Sequence, residues 1–254
     1  MIYKFPITIP QLSGDDKRVL YVYTPKGYER NRRKRYPVLY LFDGHNMFYD
    51  KDAAYGKSWG VGKYLDQNRT QLIVVAIECD KKGGRLSEYS PFDFSDHKYG
   101  DVKGRAKIHM DWIVQKLKPA IDKHFRTKRG RTNTYIGGSS MGGLISLYAV
   151  LQYNKTFGGA MCLSPSLWTA PYKIHELVMT AKIDPQTTLY LDYGANELAW
   201  HKGMDEILPA IVGALYRRGI PLTFRIVPEG EHCEACWEKQ LPFAIPTIMY
   251  KRNF

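Results

Sequence analysis

The apolar residues follow two different patterns in the first third of the chain. Apolar and polar residues alternate at 2–9 and again at 19–23, which predicts two antiparallel strands, each closed by a proline. Residues 38–42 and 72–77 are instead continuous apolar runs rich in branched side chains. Such runs are typical of strands that helices cover on both faces. We therefore expect two antiparallel strands followed by a buried sheet.

Beyond residue 100, the predicted helices and strands alternate. An apolar residue recurs every four positions from Ile113 to Phe125, which predicts a helix that Pro119 is expected to kink. The other expected elements are strands at 134–136, 159–163, 188–193 and 222–227, and helices near 144–151, 172–180, 204–217 and the C-terminal end. This order predicts an α/β fold with a mostly parallel, doubly wound sheet.

Nothing in the sequence divides the chain, so we expect one domain over residues 1–254. The stretch 80–107 is the least regular part, because it is rich in Gly, Ser, Asp and Lys and has no clear period. Long connections of this kind are typical of functional sites. We therefore expect this segment to cover a pocket.

A G-x-S-x-G motif lies between a predicted strand and a predicted helix, with Ser140 at its centre, between Gly138 and Gly142. In this context the motif marks a sharp turn that strains the serine backbone and lifts the hydroxyl above the sheet. The glycines allow the neighbouring chain to pass closely. Ser140 is therefore the candidate nucleophile.

A serine hydroxyl needs a base, and the base needs an acid that orients it. His232 follows the last predicted strand and is the only histidine in such a position, whereas the others are interpreted as surface or helix residues. Glu197 follows the preceding strand and is the preferred acid. Its rival, Asp192, falls inside that strand, where a side chain more often supports the sheet. The order serine, acid, histidine is that of α/β hydrolases.

Two backbone N–H groups are also needed to stabilise the oxyanion of a tetrahedral intermediate. One comes from the residue after the nucleophile, which is Met141. The other should come from the loop after the strand at 38–42, where Asp43 and Gly44 precede His45. We expect the His45 amide to be the second donor.

Four segments of the chain resemble the esterase D-like family of α/β hydrolases, which includes feruloyl and acetyl xylan esterases, siderophore esterases and mycolyltransferases. They are YPVLYLFDG at 36–44, GSSMGG at 138–143, LSPSLW at 163–168, and GEH at 230–232 followed by Trp237. The resemblance spans the chain from about residue 17 to residue 237. It implies an α/β-hydrolase fold that uses neither a cofactor nor a metal.

The resemblance also implies functional residues by position. Ser140, Glu197 and His232 match the catalytic triad, although several relatives have Asp where Glu197 stands. The segment from Arg85 to Tyr89 is similar to one that borders the pocket in siderophore esterases. Together with Asp43, Gly44 and Trp168, these two residues are the expected substrate contacts, and the amides of His45 and Met141 match the oxyanion hole.

The expected activity is hydrolysis of a carboxylic ester through an acyl-enzyme. Feruloyl or acetyl esters of plant saccharides are the preferred substrates, and a tricatecholate siderophore trilactone is the alternative. An acyltransferase would use the same residues and pass the acyl group to an alcohol. A catalytically silent binding protein on the same fold is the remaining class, but it would not need a complete triad.

Charge and composition limit the partners. The 37 Lys and Arg residues exceed the 25 Asp and Glu residues by twelve, which favours an anionic partner without choosing one. The basic run at 30–35 is interpreted as a solvated loop, because no aromatic residues for base stacking are interleaved with it. Besides a small ester substrate we therefore expect no nucleic-acid partner. No membrane partner is expected either, because the apolar runs are too short for a membrane helix. A homo-oligomer stays open.

The apolar runs are shorter than the ~18 residues of a membrane helix, and residues 1–6 do not resemble a secretory signal. The expected location is the cytoplasm. Four scattered cysteines agree with a reducing compartment. Cys233 and Cys236 follow His232 closely in the chain, but a closed zinc site needs a fourth ligand. We interpret them as buried thiols behind the site, with no metal.

Overall fold

The computed structural model describes residues 1–201 and 203–250. Its strands are β1 (Ile2–Ile7), β2 (Arg18–Tyr23), β3 (Val38–Phe42), β4 (Ile73–Ile77), β5 (Phe94–Asp96), β6 (Gly100–Val102), β7 (Thr134–Ser139), β8 (Gly159–Leu163), β9 (Thr188–Gly194) and β10 (Leu222–Val227). Its helices are α1 (Pro10–Ser13), α2 (Val61–Gln67), α3 (Arg85–Tyr89), α4 (Ala106–Trp112), α5 (Lys118–His124), α6 (Met141–Gln152), α7 (Pro171–Thr180), α8 (Met204–Arg217), α9 (Glu234–Glu238) and α10 (Leu241–Met249).

Eight of these strands form one sheet in the order β1-β2-β4-β3-β7-β8-β9-β10. β1 pairs antiparallel with β2, and β2 pairs antiparallel with β4. From β4 to β10 every neighbouring pair is parallel. The prediction of a mostly parallel α/β sheet with antiparallel strands at its start is therefore confirmed.

The continuous apolar strands are buried because helices cover both faces of the sheet. In β3, Tyr40 and Phe42 face the layer that contains α4 and α6. The alternate residues Leu39 and Leu41 face the layer that contains α2 and α10. Successive side chains of a strand point to opposite faces, so a strand between two helical layers needs apolar residues at every position. In the described part of the chain, no helix is both long and apolar enough to span a lipid bilayer.

The helix expected around Pro119 is interrupted. α4 and α5 are joined by a π-helical turn at Ile113–Leu117, and Pro119 lies in the first turn of α5. Proline is tolerated in a first helical turn because its missing N–H has no intrahelical partner there. The apolar spacing indicated a helix but not this break.

The segment 80–107 is more regular than the sequence suggested. It contains α3 and an antiparallel hairpin of β5 and β6. These elements are only five and three residues long, so their apolar positions are too few to reveal a period. The expectation of a connection without secondary structure was therefore wrong.

A buried ion pair joins this segment to the sheet. The Arg18 guanidinium in β2 lies 2.6 Å from the Glu88 carboxylate in α3, and both side chains are 3% exposed. The second oxygen of Glu88 accepts the N–H of Asp80 at 2.9 Å. The pair therefore fixes α3 against the sheet.

We expect Arg18→Ala to lower the free energy of unfolding by about 3–5 kcal/mol, because it leaves the Glu88 carboxylate buried without its cation. Urea denaturation measures this change. The matched control is Lys82→Ala, which removes an exposed pair with Asp16 and should have little effect. Equal losses in the two variants would contradict a special role of the buried pair.

Candidate active site

Ser140 lies at the sharp turn between β7 and α6. Its backbone has φ 58° and ψ −123°, a conformation that is strained for a residue with a side chain. The chain passes itself closely here, because a Cβ atom on Gly138 would lie 2.8 Å from the carbonyl carbon of Gly142. A Cβ on Gly142 would in turn lie 3.2 Å from the Cβ of Phe42. The glycines of the motif are therefore required by packing.

The Ser140 side chain lines a cavity of about 370 Å³ together with Glu197 and His232. Its hydroxyl lies 3.3 Å from the hydroxyl of Ser166. Among the described residues this is its side-chain partner, and it makes no hydrogen bond with the His232 ring. The three side chains expected to act together thus line one cavity.

Glu197 and His232 are directly paired. The Nδ1 atom of His232 donates to Oε2 of Glu197 at 2.6 Å. Glu197 lies in the 3₁₀ turn that follows β9, and His232 lies in the loop that follows β10, so neighbouring parallel strands deliver both side chains. Glu197 is 5% exposed. The geometry therefore brings together the preferred acid and the expected base.

Asp192, the rival acid, lies elsewhere. It is buried within β9, where it accepts the Tyr190 hydroxyl at 2.8 Å and the N–H of Ser164 at 3.1 Å. Burial raises the pKa of Asp192 to about 7, and the charge of nearby Glu197 acts in the same direction. These contacts tie β9 to the end of β8, as expected for a side chain that supports the sheet.

Sequence reasoning missed two residues that position Glu197: Ser164, which contacts it, and Trp237, which contacts Ser164. The Ser164 hydroxyl donates to Oε1 of Glu197 at 2.8 Å, and the Trp237 indole N–H donates to the Ser164 hydroxyl at 3.0 Å. The backbone N–H of Gly194 is another donor to Oε1, at 2.9 Å. The Trp237 ring also packs edge-on against His232, with ring centres 4.9 Å apart. The signal was present, since both residues belong to the segments that carry the family resemblance.

The expected oxyanion donors follow two neighbouring strands of the sheet, β3 and β7. Met141 lines the cavity and is the first residue of α6, so its N–H has no partner one turn earlier in the helix. His45 lies in a 3₁₀ turn that begins at Gly44, directly after β3. The His45 side chain is not part of the cavity lining.

Of the expected substrate contacts, Arg85 and Trp168 line the cavity, whereas Asp43, Gly44 and Tyr89 are buried beside it. The Asp43 carboxylate accepts two hydrogen bonds from Arg85, both at 2.7 Å. Burial alone raises the pKa of Asp43, but the charge and hydrogen bonds of Arg85 outweigh it and hold the pKa below its usual value. Asp43 therefore orients Arg85 at the cavity wall.

Aromatic rings form another wall. Trp168 stacks on the His201 ring, with ring centres 4.2 Å apart and planes 10° apart. Tyr99, from the turn between β5 and β6, stacks on Trp168 at 6.4 Å. Trp200 also lines the cavity. The sequence interpretation of His201 was a surface or helix residue. Its position after β9 gives no sign that its ring stacks on Trp168.

Of the side chains able to bind a metal, Asp43 is already engaged. Within the described residues, Asp43, His45 and Cys79 form a group that could hold a metal ion, because their possible ligand atoms lie within 4.8 Å of one another. Both Asp43 oxygens, however, bond to Arg85, which a cation would have to displace. Burial raises the pKa of the Cys79 thiol, and the Asp43 charge adds to this effect. This donor set does not suit a resident metal.

Cys233 and Cys236 are half-buried, not buried as expected. They lie at the beginning of α9, and the Sγ atom of Cys236 accepts the N–H of Glu231 at 3.3 Å. The interpretation of the two thiols as fully buried was therefore wrong.

Comparison with known proteins identifies the family. Residues 13–248 match the family model described as "Putative esterase", so the chain belongs to this esterase family. The resemblance found in the sequence is confirmed, and with it ester hydrolysis as the class of activity.

The chain is similar to the endo-1,4-beta-xylanase/feruloyl esterase of Xylanibacter ruminicola, with 27% identity over 201 residues that cover 77% of this chain and 25% of that protein. It is 26% identical to the siderophore triacetylfusarinine C esterase of Aspergillus fumigatus over 182 residues, which cover 68% and 60% of the two chains. An IroE-like serine hydrolase from Shewanella oneidensis has the same fold, with a TM-score of 0.74, 21% identity, and coverage of 96% and 78%.

The raised pKa of Asp192 predicts how stability changes with pH. The carboxyl ionises near pH 3.9 in the unfolded chain and near pH 7 in the folded one, so the folded state binds the extra proton between these values. Its contribution to stability is therefore lost as the pH rises through this range. We expect Asp192→Asn to weaken this decline, as measured by urea denaturation at several pH values. An identical decline in the wild-type protein and the variant would contradict the assignment.

Proposed function

We propose that the protein is a serine carboxylic-ester hydrolase that works through an acyl-enzyme, with Ser140, His232 and Glu197 as its catalytic residues. The observation that carries the proposal is the 2.6 Å hydrogen bond from His232 Nδ1 to Glu197 at a cavity that Ser140 also lines. A carboxylate on Nδ1 leaves Nε2 unprotonated and able to accept a proton. His232 is thereby prepared to act as the base.

The first chemical step requires the Ser140 hydroxyl to leave Ser166 and turn towards His232. Serine hydroxyls move between staggered rotamers, and catalytic hydrogen bonds are often long or absent before substrate binds. Ser140 then attacks the ester carbonyl carbon while its proton passes to His232. The carbonyl oxygen becomes negative, and the amides of Met141 and His45 are the proposed donors to it.

The second step releases the alcohol and then the acid. Protonated His232 gives its proton to the alkoxide as the carbon–oxygen bond of the ester breaks, which leaves an acyl group on Ser140. A water molecule then transfers a proton to His232 and attacks the acyl carbon. Collapse of that intermediate returns the proton to Ser140 and frees the carboxylic acid.

We propose feruloyl or acetyl esters of plant saccharides, or similar small esters, as the substrates. Trp168, Tyr99 and His201 form a stacked wall that suits an aromatic acyl group or the apolar face of a sugar. The relative from Xylanibacter ruminicola, named as a feruloyl esterase, supports this substrate class. The segment 80–107 supplies Arg85 and Tyr99 to the cavity lining, as its proposed pocket-covering role requires.

A siderophore ester is the second candidate, because Arg85 and Lys98 line the cavity and a tricatecholate is anionic. Asp96 and Glu197 line the same cavity, however, and Arg85 is paired with Asp43. The cationic charge available to a ligand is therefore small, which favours the saccharide esters. Turnover of methyl ferulate, an acetylated sugar and a siderophore trilactone, compared side by side, separates the two candidates.

We expect Ser140→Ala to reduce kcat/KM on p-nitrophenyl acetate at least a thousandfold, since it removes the nucleophile. The matched control is Ser166→Ala, which removes a neighbouring cavity hydroxyl and should keep most of the activity. An organophosphonate should label the wild-type protein and the control but not Ser140→Ala. Full activity of Ser140→Ala would reject the mechanism, and no turnover of any ester by the wild-type protein would favour a binding protein.

Product analysis with an added acceptor sugar distinguishes hydrolysis from acyl transfer. A hydrolase releases the free acid in proportion to the ester consumed, whether or not the sugar is present. Acyl-sugar as the main product would show that the acyl-enzyme reacts with an alcohol in preference to water. The triad would be unchanged, but the proposed reaction class would be wrong.

Glu197→Gln should lower kcat by about 10⁴-fold, because an amide holds the wrong tautomer of His232 and cannot stabilise its cation. Asp192→Asn is the matched control and should leave kcat nearly unchanged. Ser164→Ala removes one donor to Glu197, and a smaller loss of about tenfold is expected. A larger loss for Asp192→Asn than for Glu197→Gln would make Asp192 the acid.

A further inference from the structure

Two segments that are far apart in sequence form a single basic surface. The segment 26–35 and the segment 116–131 together hold thirteen of the 37 Lys and Arg residues but only two of the 25 acidic residues. They therefore account for eleven of the twelve excess positive charges. We call this surface the basic face.

Backbone contacts join the two segments. The N–H of Tyr36 donates to the carbonyl of Arg126 at 2.8 Å, and the N–H of Lys128 donates to the carbonyl of Tyr36 at 2.7 Å. The Arg126 guanidinium lies over the Tyr28 ring at 3.7 Å, and Arg35 donates to the carbonyl of Thr127. The cations of both segments thus share one surface of the fold.

The loop at 29–35 is ordered although it is exposed. The side chain of Asn31 accepts the backbone N–H groups of Arg33 and Lys34 at 3.2 and 3.0 Å. Residues 29–35 are all exposed to solvent. The backbone therefore holds the basic side chains outward in a defined turn.

Few of these cations are neutralised within the protein. In the described part of the chain, Lys118 pairs with Asp122 at 2.7 Å and Arg131 with Asp184 at 3.7 Å. The other eleven have no carboxylate within salt-bridge distance among the described residues. Ten of these eleven are exposed to solvent, whereas Arg126 is half-buried and donates to the carbonyl of Tyr28. The charge of the ten exposed cations is available to a partner.

The basic face lies at the opposite end of the sheet from the cavity. Its segments precede β3 and β7, whereas Asp43 and Ser140 follow these same strands. Strands of five and six residues rise about 3.3 Å per residue, so the two surfaces are roughly 15–20 Å apart. A partner bound to the basic face would leave the cavity open.

We propose that the basic face docks the protein reversibly onto an anionic phospholipid surface. A planar array of negative charges at one end of the molecule would leave the cavity facing the solution. The contact needs no spanning helix, since clustered Lys and Arg residues bind anionic lipid by charge alone. It differs from the expectation of no membrane partner, which rested on the absence of a long apolar run.

Nucleic acid fits the surface less well. Proteins that bind single strands stack the bases on exposed aromatic rings, but Tyr28 and Tyr36 are buried and Phe125 is half-buried. Proteins that recognise duplex DNA usually insert a helix or a β-ribbon into a groove, whereas the most exposed part of the basic face is a loop. The basic face therefore has the charge to bind a polyanion but lacks exposed tyrosine or phenylalanine rings for base stacking, and its most exposed part is not a helix that could enter a DNA groove. This combination favours a lipid surface.

The test is sedimentation with vesicles of phosphatidylcholine and phosphatidylglycerol, with pure phosphatidylcholine vesicles as the neutral control. The wild-type protein should sediment only with the anionic vesicles, and added salt should release it. The triple variant Arg30→Glu, Arg32→Glu, Arg33→Glu should bind at least about a hundredfold more weakly, since each lost cation costs about a factor of five and the anionic surface repels each new carboxylate.

The matched control reverses three exposed lysines outside the basic face, as Lys51→Glu, Lys63→Glu, Lys239→Glu. It makes the same change in net charge and should keep most of the vesicle binding. Both variants should retain wild-type turnover of p-nitrophenyl acetate, which shows that they are folded. The docking test does not depend on which ester the protein hydrolyses.

Three outcomes would overturn the proposal. The wild-type protein could fail to bind the anionic vesicles, or the control variant could lose binding as strongly as the basic-face variant. The protein could also bind a DNA duplex or single-stranded RNA more tightly than the anionic vesicles at the same salt concentration. That last result would assign the basic face to nucleic acid.

Discussion

The candidate site depends on one buried carboxylate. Glu197 is almost fully removed from water, and a buried charge is tolerated only when hydrogen bonds replace its hydration. Three donors do so: the Ser164 hydroxyl, the Gly194 backbone N–H and the His232 ring. Each comes from the carboxyl end of a different parallel strand or from the loop after it, namely β8, β9 and β10. The order of these strands in the sheet therefore fixes the orientation of His232. The Trp237 indole in turn holds the Ser164 hydroxyl by donating a hydrogen bond to it.

Much of this could be predicted from the sequence, because the signals were local. The bounds of β3, β8 and β10 agree with the apolar runs, and α8 agrees with its predicted span at 204–217. The motif around Ser140 encodes a turn whose close contacts only glycine allows. Glu197 was preferred over Asp192 because a residue after a strand can turn to the sheet edge, whereas one inside it stays in the sheet. The observed contacts of both residues follow this distinction.

The rest depends on contacts between residues far apart in sequence, which neither spacing nor motif encodes. Trp237 reaches Ser164 across 73 positions, and Arg85 reaches Asp43 across 42. The family motifs included three of these residues, but only the packed structure shows that they position Glu197 and Arg85. The hairpin of β5 and β6 was missed for a different reason: its strands are too short for alternation to stand out.

The same separation explains why the sequence alone does not show how the charges are arranged. The run at 30–35, taken alone, is an ordinary exposed loop, and the cations at 116–131 are spread along a helix and its end. The bridge between Tyr36 and Thr127 joins them into one surface. Because parallel strands run in one direction, whatever precedes β3 and β7 collects at one edge and whatever follows them collects at the other. The topology that gathers Asp43 and Ser140 at the cavity thus also gathers the cations at the opposite edge, so chemistry and charge occupy separate ends of the molecule.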